Sequence, residues 1–197
     1  LILVRENSAR PVVRTERTYD ITADFHVANI SENYLLLDYA QLARGRARFG
    51  ERRSVTALFE ELLREDYHGE ISIRWTFTLR DCMPLTLITE RAQMDIRLNG
   101  VPVLLQKSCF DVGFAEAHLE DALRKGENEL ICTMQFYQHD GVRFALFDPM
   151  ATESLKNCLY YDTSVEPVCL KGDFIVEKDF TLAPRKSFPP LTDKLYE

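Results

Sequence analysis

Acid–base chemistry with two carboxylates needs them to converge to roughly 5–10 Å across a substrate. The chain offers Glu60-Glu61, Glu65-Asp66 and Glu120-Asp121 as neighbours. Adjacent residues on a helix point in different directions, so these pairs read as solvated faces. The histidines His26, His68, His118 and His139 are scattered without a His-x-x-x-His pair, which gives no metal-ligand spacing. The sequence has no Gly-x-Ser-x-Gly elbow and no Gly-rich phosphate loop. The best cluster is Tyr137, His139, Asp140 and Arg143: an aromatic ring, an imidazole, a carboxylate and a guanidinium within one short span. Such a set could stack on a sugar ring and meet its hydroxyls, and loop ends are where sandwiches place function. The plainer reading of the same residues is a polar hairpin.

The elements that must carry this cluster are mainly strands. Ile71, Ile73, Trp75, Phe77 and Leu79 alternate with polar residues, the signature of a half-buried strand. Trp75 is the only tryptophan, and its inward phase assigns it to the core rather than to a binding platform. Met94, Ile96 and Leu98 lead into Asn99-Gly100, a pair that supplies both positive φ values of a type I′ hairpin. That turn sets Leu98 against Val101, Ile96 against Val103 and Met94 against Leu105, and Pro102 marks an edge or a bulge. Asn99 and Asn128 are thus read as turn residues, not ligands.

Leu130, Cys132, Met134 and Phe136 alternate as a further strand, and Ala117–Lys125 reads as one or two helical turns before it. Val142–Phe147 reads as a short strand after a turn at His139–Gly141, and Leu155–Tyr161 fits helix or strand equally. Towards the N-terminus, Val12-Val13, 14–19 and 19–27 read as lead-in strands, and Tyr34–Leu42 as one buried strand. Ser54 is a candidate N-cap for an amphipathic helix with Val55, Leu58, Phe59, Leu62 and Leu63 on its apolar stripe. The arginine-rich stretch Arg44–Arg53 reads as a solvated, mobile loop. Its sharper reading, an anion or acidic-sugar contact, would need ordered aromatic neighbours, and only Phe49 is near.

The 197 residues are 46% hydrophobic, enough for one substantial core. A net charge of −7 argues against general nucleic-acid binding, which needs a basic footprint. No apolar run approaches the roughly 20 residues of a membrane span. Cys82, Cys109, Cys132, Cys158 and Cys169 contain no Cys-x-x-Cys pair and read as free thiols, which leans towards a cytoplasmic location. The chain opens on Leu1 rather than Met and is read as an excised fragment of a longer protein.

In order, the chain shows Trp75 and Phe77 on one strand, then Thr89, Glu90 and Arg91. The Ile96–Val103 hairpin and Phe110–Val112 follow, then Leu123, Gly126, Asn128 and Leu130. This series resembles the galactose-binding-like jelly roll found beside the catalytic domain of family 2 glycoside hydrolases. Asn33–Asp38 and the segment Glu166-Pro167-Val168-Cys169-Leu170-Lys171-Gly172-Asp173-Phe174 resemble the accessory region of proteins related to family 106 α-L-rhamnosidases. Cys169 stands where an aromatic is common in that pattern, which bears on packing. The resemblance implies a mainly β fold, a galactose-binding-like jelly-roll β-sandwich with one or two short helices. Lead-in strands would occupy 1–30, the sandwich 31–180 and a tail or linker 181–197.

The resemblance further implies a non-catalytic accessory domain, structural or weakly carbohydrate-binding, whose partner is a catalytic domain of the same parent chain. An independent carbohydrate-binding module and a purely structural interdomain spacer are the alternatives, with a stand-alone enzyme last. No cofactor is implied. Jelly rolls of this type sometimes hold a structural Ca²⁺, but nothing here marks a loop for it.

Overall fold

The computed structural model describes residues 30–90, 95–107 and 111–186. The expected lead-in strands, the tail from 187 onward, and the positions Arg91, Met94, Cys109 and Phe110 lie outside these residues. Ser31–Lys186 forms one compact unit.

Its elements, in order, are β1 (Asn33–Leu37), β2 (Tyr39–Arg44), β3 (Arg53–Ser54), α1 (Val55–Arg64), β4 (Gly69–Leu79), β5 (Leu85–Glu90), β6 (Asp95–Leu98), β7 (Val101–Pro102) and β8 (Gln106–Lys107). Then come β9 (Phe114–His118), β10 (Gly126–Phe136), α2 (Asp140–Phe147), α3 (Glu153–Asn157), β11 (Val168–Gly172), β12 (Phe174–Val176) and β13 (Thr181–Pro184). The smaller sheet runs β1-β11-β5-β9-β8. The larger runs β12-β13-β4-β10-β6-β7, with β2 and β3 joined to it through β4. The chain is therefore a mainly β, two-sheet sandwich with a few short helices.

β4 and β10 form the spine. They pair antiparallel over their whole length, from Gly69↔Phe136 to Leu79↔Gly126. Ile71, Ile73, Trp75, Phe77 and Leu79 all turn inward and are buried, as their alternation predicts. Each such side chain contributes roughly 1.5–3 kcal/mol of burial. Leu87, Val168 and Leu170 of the smaller sheet join the same apolar cluster, so the core lies between the sheets. Trp75 is fully buried, and its Nε1 has no hydrogen-bond partner among the described residues.

The Asn99-Gly100 hairpin forms with the expected register. Leu98 faces Val101, and the Val103 amide donates to the Ile96 carbonyl at 2.9 Å. Asn99 and Gly100 take φ values of 51° and 84°. α1 also starts where predicted: Ser54 Oγ accepts from the Ala57 amide at 3.3 Å. Phe59 on its apolar stripe meets Phe136 edge-on at 6.0 Å, so the helix covers the sandwich end where β10 leaves.

Five segments depart from the sequence reading. Tyr34–Leu42 is two strands: β1 pairs with β11 in one sheet, and β2 pairs with β4 in the other. The chain changes sheets at Asp38, whose carbonyl accepts from the Val55 amide at 2.8 Å. Ala117 and His118 belong to β9, and only Glu120–Ala122 is helical, as one 3-10 turn. Val142–Phe147 lies in α2, because burying Val142 and Ala145 together at i and i+3 outweighs the Val142, Phe144, Leu146 alternation.

The arginine stretch is the fourth departure, since three of its arginines, Arg44, Arg52 and Arg53, are engaged. Arg44 and Arg53 both bind Glu61 on α1, and Arg44 also reaches Glu65 at 2.8 Å. Arg52 lies over Tyr39, and Phe49 is covered by Arg74 at 4.2 Å. Thr181–Pro184, assigned to the tail by sequence, extends the larger sheet as β13, parallel to the end of β4.

Candidate functional site

The sequence cluster sits where β10 gives way to α2. Tyr137 follows the last residue of β10 and is 51% exposed. Gln138 turns inward and ties the strand exit to a segment far along the chain. Its Nε2 donates to the Thr163 carbonyl at 2.5 Å, and its Oε1 accepts from the Asp162 amide at 3.0 Å. That tie brings Asp162 and Tyr160 against the start of α2.

His139 occupies the N-cap position of α2 in extended conformation, with no capping bond from its own side chain. Asp162 supplies the contact instead. Its Oδ2 accepts from the His139 amide at 2.8 Å and from His139 Nδ1 at 2.6 Å. These bonds, the side-chain one first, hold the Asp162 carboxyl below the usual carboxylate range. A carboxylate at a helix N-terminus is also favoured by the helix dipole. The Tyr160 ring stacks on the imidazole at 4.7 Å and 24°. The far edge of the imidazole lies against Gly141, where a Cβ would meet His139 Cδ2 at 2.9 Å. The imidazole is thus fixed by a carboxylate, an aromatic face and a bare backbone.

The structure places the four predicted residues at the β10 exit and along α2. Tyr137, His139 and Asp140 share the rim, and the Asp140 carboxylate makes no hydrogen bond or ion pair among the described residues. Arg143 is directed elsewhere, to Asp66 Oδ2 at 3.2 Å. Asp66 itself adopts a left-handed φ of 51° at the end of α1. Sequence reasoning missed Tyr160 and Asp162, which lie more than 20 residues from His139. Their only local signal was the polar-aromatic run Tyr160-Tyr161-Asp162 in a segment of ambiguous pattern.

Other concave features offer less. A cavity of about 10 Å³ lies among Leu62, Tyr67, Phe136, Gln138 and Val142, too small for a sugar. An open groove of about 290 Å³ runs along α1, lined by Arg53, Glu60, Glu61, Arg64 and Glu65. Its charges are spent on one another: Arg53 on Glu61, and Arg64 on Glu60 at 2.5 Å. No group of three or more His, Cys, Asp or Glu side chains is placed to hold a metal among the described residues. Trp75 and Asn128 are structural. Asn128 is fully buried, and all four of its side-chain bonds go to Asn99, Arg124 and Gly126.

No protein-family model matches the chain, and no curated protein matches it. Several solved structures align with part of the chain. A β-D-glucuronidase from Dictyoglomus thermophilum aligns with a TM-score of 0.47 and 12% identity, over 78% of this chain and 32% of that one. A GH2 β-galacturonidase from Eisenbergiella tayi gives 0.45 and 11%, over 78% and 29%. A β-galactosidase from Bacteroides fragilis, described as putative, gives 0.44 and 15%, over 72% and 23%. The chain therefore spans about a third or less of each of these proteins. No helix among the described residues is long and apolar enough to cross a membrane.

Proposed function

We propose that this chain is a non-catalytic accessory β-sandwich of a glycoside-hydrolase-like protein. In this reading it sits beside a catalytic domain of the same parent chain and binds carbohydrate weakly at the rim of Tyr137, His139 and Asp140. The observation that carries the binding part is the rim itself. An exposed aromatic, a fixed imidazole and a carboxylate without a partner among the described residues follow one another at the end of the larger sheet, the combination that sugar recognition uses. The ordered series from Trp75 to Leu130, with the Glu166–Phe174 segment, supports the placement beside a hydrolase.

A second reading is favoured by a specific observation. Phe144, Phe147, Met150 and Leu155 are all at least 40% exposed within α2, α3 and their connection. Such a run of apolar side chains would also suit packing against a neighbouring domain. Isothermal titration of the full chain against plant and bacterial monosaccharides at millimolar concentration separates the two. A saturable signal with one sugar supports the binding role. No heat with any sugar removes that role and leaves the packing domain.

A further inference from the structure

Resting on the carbohydrate-binding reading above, we infer that Tyr160 is the floor of the site and that the site takes a neutral pyranose rather than a uronic acid. Tyr160 is 65% exposed, although one face of its ring is already stacked on His139. The opposite face is therefore open to solvent at a fixed orientation. A tyrosine on a mobile segment would lose ordering entropy on binding, whereas this ring is backed before the ligand arrives. The backing is itself built: Asp162 holds the imidazole from one side, and Gly141 leaves it room on the other. An aromatic ring offers the C–H face of a pyranose a flat apolar partner of matching size.

Charge sets the ligand class. Asp162 Oδ2 takes both bonds from His139, which leaves Oδ1 as an acceptor for a ligand hydroxyl. Asp140, exposed at the start of α2 next to His139, adds a second carboxylate to this end of the helix. Carboxylates accept hydrogen bonds from hydroxyls and repel a further carboxylate brought by a uronate. The nearby basic groups are already engaged, Arg143 by Asp66 and His139 by Asp162. The rim is thus matched to neutral hydroxyls and mismatched to an acidic sugar.

The test is titration of the full chain at pH 7 with methyl glycosides of rhamnose, galactose and glucose, and in parallel with glucuronate and galacturonate. Saturable binding of a neutral glycoside is expected, with no saturation by either uronate at the same concentrations. Tyr160→Ala should weaken that binding by about tenfold or more, whereas Tyr160→Phe should retain it. Tyr39→Ala, which removes an exposed ring elsewhere, should change nothing. Thermal melts of each variant verify that the sandwich is intact. Neutral-sugar binding undiminished in Tyr160→Ala overturns the platform while leaving the binding role standing. Uronate binding as tight as that of a neutral sugar overturns the charge assignment. No binding of any sugar removes the carbohydrate role itself.

Discussion

At the scale of the residue, the least expected finding is that His139 is organised by Asp162, a partner distant in sequence. Each half of the pair looks ordinary in the sequence, a histidine after a glutamine and an aspartate after two tyrosines. Only the Gln138 tie to the 162–163 backbone makes them neighbours. The carboxyl of Asp162 is held below its ordinary value of about 3.9 by the side chain of His139 first and its backbone second. A depressed carboxyl contributes stability that is present above its unfolded value and lost as pH falls through the folded one. The clamp should therefore hold through neutral and mildly acidic conditions and open only in stronger acid. Following the Asp162 carboxyl carbon by NMR should show a midpoint below the ordinary value, and His139→Ala should return it towards that value. A midpoint already at the ordinary value in the parent chain would mean that the His139 contact does not form in solution.

At the scale of the element, the Asn99-Gly100 hairpin shows how much a turn depends on what lies behind it. Asn99 was legible as a turn residue, and it adopts the left-handed φ that the turn requires. Its side chain does more. Nδ2 donates to the Ala122 carbonyl at 2.8 Å and to Asn128 Oδ1 at 2.9 Å, and Oδ1 accepts from the Glu129 amide at 3.0 Å. Asn128 in turn gathers the Arg124–Gly126 corner. Two asparagines thus bolt the hairpin and the 3-10 turn onto β10. Replacing Asn128 by Ala leaves the Arg124 amide and carbonyl and the Gly126 carbonyl without these part-buried partners, at roughly 1–3 kcal/mol each for those that water cannot reach. A loss of about 3 kcal/mol in urea unfolding is expected, against a much smaller loss for Glu127→Ala on the solvent side. Equal losses for the two would mean that the polar bolt contributes nothing special.

Legibility followed the strength of local pattern. β4, β10, the hairpin and α1 each carry an unbroken period, and all formed where the spacing put them. α2 carries both periods at once, since Val142, Phe144 and Leu146 alternate while Val142, Ala145 and Leu146 share a helical face. Tertiary burial of Val142 and Ala145 decided it. The sheet change at Asp38 was hidden because Leu35, Leu37 and Tyr39 continue one alternation across two strands. Of the candidate cluster, the half on the β10 exit was legible in the sequence, and the pairing of Arg143 with Asp66 was not. The half contributed by Tyr160 and Asp162 depends on long-range packing that no short window contains.

At the scale of the whole molecule, the cysteines report whether the two sheets close as one cooperative unit. Cys132 sits at the middle of β10, fully buried between β4 and β6. Burial, with a smaller contribution from Asp95, pushes its thiol up to about 12, so it carries almost no thiolate at neutral or mildly alkaline pH. Cys82 and Cys158 are exposed, and Cys169 lies between these extremes on β11. Alkylation at pH 8, read site by site by mass spectrometry, should therefore label Cys82 and Cys158 first among the four described cysteines. Cys169 should follow, its thiol also raised by burial. Cys132 should be labelled only at the rate at which the spine opens, because no local motion short of separating β10 from its neighbours exposes it. Adding urea should accelerate Cys132 steeply and Cys158 hardly at all. If Cys132 instead reacts alongside Cys158 in native buffer, the larger sheet opens without global unfolding. The rim at the end of β10 could not then be the rigid support that carbohydrate recognition at Tyr160 requires.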